Sequence, residues 1–133
     1  MLRNILIFIP MLFCLIMGSL AFLSPDIIGG ILGVSADNAA GRGTISGDFG
    51  AMFFTGGGAA ALALFKGKSN LLWVSISLLG LTLIGRLFEV TSTGVGETTM
   101  QPIIIEAILV AMLLGALKPV SYTHLTLPTI LLV

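Results

Sequence analysis

Apolar residues in this chain fall into four long blocks separated by short polar stretches. The block from Ile5 to Leu23 carries no charge and is long enough, as a helix, to cross a hydrocarbon core of ~30 Å. A second block spans residues 45–65, in a helix expected to begin nearer Ala39. A third runs from Leu71 to about Val90, and a fourth from about Met100 to Leu117. Between the first two lies Ser24-Pro25-Asp26 through Gly33. Ser24 suits an N-cap, Pro25 the first helical position and Gly33 a stop. This segment is too short to span and is expected to lie at the interface, with Asp37 or Asn38 capping the next long helix. The pattern predicts an all-α integral membrane protein: a four-transmembrane-helix bundle with a short interfacial helix after helix 1.

A cleaved signal peptide is the competing reading of the first block, with Arg3 as its basic start and Ser19-Leu20-Ala21 resembling a cleavage site. A retained helix is preferred, because the apolar stretch exceeds a usual signal core and three further blocks follow. Pro10 lies inside it, where a membrane helix tolerates a kink.

Composition agrees with burial in lipid. Hydrophobic residues make up 56% of the 133 and charged residues only 9%, with a mean hydropathy of +1.14. A soluble domain needs about a quarter of its residues charged. The 6 basic and 6 acidic residues cancel, so no basic excess exists to follow a nucleic-acid backbone. The one cysteine, Cys14, sits in an apolar run and is read as a packing residue. No spacing suits a metal, and no cofactor motif is present. The mid-span Gly56-Gly57-Gly58 lacks the Lys-Ser/Thr of a phosphate loop.

Arg3, Lys66, Lys68 and Lys118 fall on one side of a four-span arrangement, opposite Asp26, Asp37 and Glu97, where Arg42 is the one clear basic residue. The positive-inside rule then predicts an inner-membrane protein with both termini cytoplasmic. Near its end the chain reads Val120-Ser121-Tyr122-Thr123-His124-Leu125-Thr126-Leu127-Pro128-Thr129, which resembles an in-frame translation of a transposase sequencing adapter. Residues 120–133 are therefore expected to be a non-native tail on a membrane domain of residues 1–119. Tyr122 and His124, the only Tyr and His, are set aside with it.

Small residues concentrate in the second block. Gly43, Gly47 and Gly50, with Gly85 in the third, are expected to let helix backbones approach closely, Gly43 and Gly47 in G-x-x-x-G spacing. That spacing serves packing within one chain at least as readily as a dimer.

Four charges fall within or close to the spans: Asp48, Arg86, Glu89 and Glu106. A charge at the bilayer centre costs ~2.5–3.5 kcal/mol or more. Helical rise places Arg86 ~22 Å along the third span and Glu106 ~9 Å into the fourth, so all four converge on the outer third of the membrane. Arg86 is expected to bridge Asp48 and Glu106. Glu89 shares its helix face and is expected to reach outward, with Arg42 as a candidate partner. One cation among three carboxylates calls for a protonated carboxyl, a cation or water. The arrangement is either a polar clip fixing helix packing, the preferred reading, or a proton- or cation-binding site.

The order of features resembles the bacterial four-helix membrane proteins known as domain of unknown function family 4345, similar to the DoxX-like group. The resemblance covers about Leu2 to Leu117. It rests on Ser24-Pro25, Gly47-Asp48-Phe49-Gly50-Ala51, Gly85-Arg86-Leu87 and Glu106. Phe49 stands where many relatives are expected to carry Tyr, so any role needing a phenol is unsupported. The resemblance implies a fold and a membrane location, and no established activity; some DoxX-like proteins are associated with quinone-linked sulfur oxidation.

Three functions remain open. The first, preferred for want of any nucleophile–base pair, is a noncatalytic helical membrane protein: an accessory subunit, or a binder of a small ligand or lipid. The second is an oligomeric transporter or proton-coupled permease. The third is the membrane subunit of a quinone-linked oxidoreductase. The partners implied are the lipid bilayer and either further copies of the chain or another membrane subunit.

Overall fold

A computed structural model describes residues 1–96 and 98–117. Lys118, Glu97 and the 120–133 tail, on which the sequence expectations also drew, lie outside the described residues. Among those described, every regular element is helical: α1 Leu2–Leu23, α2 Pro25–Leu32, α3 Ala39–Thr44, a π-helical turn Ile45–Phe49, α4 Gly50–Phe65, a 3-10 turn Ser69–Leu71, α5 Leu72–Thr93 and α6 Met100–Leu117. The stretches Leu2–Leu23, Ala39–Phe65, Ser69–Thr93 and Met100–Leu117 are each long and apolar enough to cross a membrane.

The helix ends follow local chemistry. Asn38 caps α3 by accepting from the Gly41 N–H at 2.8 Å. Pro25 opens α2, and Gly33, at φ 71°, closes it in the left-handed conformation that glycine adopts freely. α5 continues to Thr93, past the Val90 boundary expected from hydropathy. The hydroxyls of Thr91 and Ser92 donate to the Phe88 carbonyl, and that of Thr93 to the Glu89 carbonyl. These bonds carry a polar sequence through a last helical turn. Pro10 is buried within α1 without ending it.

Helices α1, α4, α5 and α6 pack as a ring, in which α1 touches α4 and α6, and α5 touches the same two. The core face of α1 is the row Ile7, Met11, Cys14, Met17 and Ala21, spaced at helical intervals. Glycines set the closeness of α1 and α4. A methyl group on Gly57 would stand 2.9 Å from Leu15 Cδ2 and 3.2 Å from Cys14 Cβ, and one on Gly18 would stand 3.1 Å from the Phe54 ring. Gly50 likewise abuts Phe22. At Gly43, Gly47 and Gly85 an added methyl meets nothing within 4 Å. Close packing therefore runs through Gly18, Gly50 and Gly57 and leaves the G-x-x-x-G pair facing outward. Of the four glycines expected to pack, Gly50 alone meets a neighbour closely, and Gly43, Gly47 and Gly85 do not.

Between α4 and α5 the buried Ser75 hydroxyl donates to the Gly56 carbonyl at 2.7 Å. At one end of the bundle Arg3 Nη2 donates to Ser69 Oγ at 2.7 Å, tying the N-terminus to the turn between α4 and α5. The opposite end gathers α2, α3, the last turns of α5 and the first turn of α6.

Candidate functional site

The buried positions of α6 are Ile103, Glu106, Leu109, Leu113 and Ala116. Steps of three and four make this one face of a helix. Glu106 thus occupies a core position that its neighbours fill with apolar groups. Its partner is on α5, where Arg86 Nε donates to Glu106 Oε1 at 2.9 Å. The two side chains are 25% and 10% exposed, so the pair is largely desolvated and its attraction is only weakly screened. The contact uses one edge of the guanidinium. Glu106 Oε2 is buried and has no hydrogen-bond partner among the described residues. The Nη nitrogens of Arg86 donate to none of those residues either.

Arg86 also lines a cavity of about 430 Å³ at the end of the bundle where α2 lies. One wall is the final turn of α2, Gly30 to Gly33. The other is the start of α6, with Gln101, Pro102 and Ile105. Glu89 is on the rim, one turn beyond Arg86, beside Thr98 and Thr99. The Glu89 carboxylate and its own backbone carbonyl, each 3.0 Å from the Thr93 hydroxyl, share that single hydrogen, and Glu89 is exposed. The result is a guanidinium anchored through Nε, on a side chain that lines open space. A carboxylate stands above it and apolar residues line the sides.

The four expected charges therefore separate. Arg86 and Glu106 meet, and Glu89 shares their cavity. Asp48 does not join them: it is exposed in the π-helical turn and has no ion-pair partner among the described residues. Depth along a helix fixes one coordinate, and the bearing around the axis fixes the other. The wide turn at residues 45–49 shifts that bearing for Asp48. Arg42 is held by Asp26 of α2 in an exposed pair rather than by Glu89. The cavity walls from α2, and Thr98, Thr99 and Gln101, were missed by sequence reading. Their only signal is a polar run just before the last apolar block. Among the described residues no three His, Cys, Asp or Glu side chains come together as metal ligands.

The chain thus belongs, by its described structure, to the all-helical proteins with four helices fit to cross a membrane. Comparison with protein-family models, with curated proteins and with solved structures finds no match.

Proposed function

We propose that the chain is a noncatalytic four-span protein of the inner membrane. It binds a small amphipathic molecule in the Arg86 cavity, and the Arg86–Glu106 pair both clips α5 to α6 and aims the guanidinium. The observation that carries this is the one-edged ion pair. A guanidinium bound through Nε keeps a planar fork of donors for an anionic or carbonyl oxygen, and here Arg86 lines a cavity of ligand size. Both termini are assigned to the cytoplasm. Arg3, Lys66 and Lys68 mark the end tied by the Arg3–Ser69 bond, whereas Asp26, Asp37 and Asp48 lie toward the other. Membership of family 4345 is part of the same proposal, supported by the meeting of Arg86 with Glu106, the residues that carry its more specific motif.

The test is thermal unfolding of the full chain in detergent, followed by Trp73 fluorescence, against a panel of lipids, quinones and small anions. A ligand that raises the midpoint in the parent and not in Arg86→Gln supports the reading. A panel with no stabiliser, or one acting equally on both proteins, defeats it.

The cavity beside Arg86 also favours one second reading, a membrane subunit of a quinone-linked oxidoreductase, because its apolar walls and guanidinium suit a ring carbonyl. A quinone among the stabilisers, together with a copurifying redox partner, would select that reading. The transporter alternative gains nothing from the exposed, separate position of Asp48.

A further inference from the structure

We infer that the Arg86 cavity receives a phospholipid headgroup in which a phosphate diester is joined to a primary ammonium, the phosphate on Arg86 and the ammonium on Glu89; this rests on reading the cavity as a ligand site. Charge balance comes first. The cavity is lined by one cation, Arg86, and one carboxylate, Glu89, and a second carboxylate, Glu106, is paired with Arg86 outside the lining. The sum over these three is +1 − 2 = −1. A purely anionic head would add to that negative excess, whereas a zwitterion brings its own cation to Glu89.

The order of the charges matches as well. Arg86 and Glu89 are three residues apart on α5 and line the same cavity, so they share a face with ~4.5 Å of rise between them. Glu89 is the nearer to the end of the helix. A phosphate and an ammonium joined by two carbons lie a similar distance apart, with the ammonium outermost and the acyl chains leading inward. The fork of Arg86 left by Glu106 can donate to two phosphate oxygens. Glu89, steadied by the Thr93 hydroxyl, keeps lone pairs for an ammonium. Ile105 lines the cavity, and Ile108, exposed one turn further along α6, continues that face away from it as a track for an acyl chain.

The full chain in detergent is titrated with short-chain phosphatidylethanolamine, short-chain phosphatidylglycerol and glycerophosphoethanolamine, and apparent Kd values are taken from the unfolding midpoint. Phosphatidylethanolamine is expected to bind about fivefold more tightly than phosphatidylglycerol, the scale of one partly exposed ion pair. Glu89→Gln, at an exposed position that leaves the fold intact, is expected to erase that preference by weakening the ethanolamine lipid alone. Equal affinities in the parent, or a preference unchanged in Glu89→Gln, overturn the inference. Glycerophosphoethanolamine binding as tightly as the lipid overturns the lipid as its source. If lipids stabilise the parent and Arg86→Gln equally, the ligand site itself fails. If Arg86→Gln abolishes stabilisation and the two lipids are equal, only the headgroup assignment fails.

Discussion

The α1–α4 and α5–α6 interfaces are fastened by opposite means. Between α1 and α4 no ion pair is found among the described residues; Gly18, Gly50 and Gly57 let side chains of the opposing helix lie against bare backbone. Between α5 and α6 the second half of α5 is largely exposed, and the buried stripe of α6 is interrupted by Glu106, held by Arg86. In lipid, apolar side chains gain little by leaving their surroundings, so helices associate by close packing or by polar bonds. One side of this bundle uses the first means and the other side the second. Packing tolerates no added volume, while the ion pair tolerates no loss of a partner.

The largest effect is therefore expected at the pair. Arg86→Met strands a buried carboxylate and should destabilise the fold by about 3–5 kcal/mol, read as a lowered unfolding midpoint in detergent. Replacing both members, Arg86→Met with Glu106→Met, should restore most of that loss. A double variant as unstable as the single would show that the pair does not act as a unit.

On the packed side, Gly57→Ala drives a methyl against the branched end of Leu15 and the Cβ of Cys14 and should cost about 1–3 kcal/mol. A neutral result would mean that α1 and α4 can separate freely. Gly50→Ala should be milder, because the Phe22 ring it meets is exposed and can swing aside.

Ser75→Ala removes the bond to the Gly56 carbonyl between α4 and α5, for a loss of about 1 kcal/mol. The smallest change is expected at Gly43→Ala and Gly85→Ala, where space is open. Stability should hold or rise by up to ~1 kcal/mol. A marked loss at either would reveal a helix packed there in the assembled protein.

Hydropathy carried most of the architecture because span length is a property of sequence alone. The meeting of Arg86 and Glu106 was legible because their depths agree and each needs a partner of opposite charge. Asp48 met the same depth criterion and stands elsewhere, since apolar periodicity assumes a regular α-helix and residues 45–49 are wound more widely. The glycines divided for a related reason. Gly43 and Gly47 fit a motif, yet the contact face is chosen by which partner arrives, and Leu15 and Phe54 settle it at Gly57 and Gly18. The cavity walls were illegible because α2 reaches them only through the tertiary fold.

The π-helical turn acts as a rotary coupling within one continuous helical stretch. With Ile45 seated near Gly29 of α2 and Arg42 on Asp26, the segment before the turn is indexed to α2, while α4 beyond it is indexed to α1. An α-helix advances ~100° per residue. Deleting one residue between Ile45 and Phe49 would thus swing α3 about its axis by roughly that angle relative to α4. The hydropathy profile would scarcely register the change, yet α2, the roof of the Arg86 cavity, would lose its seat.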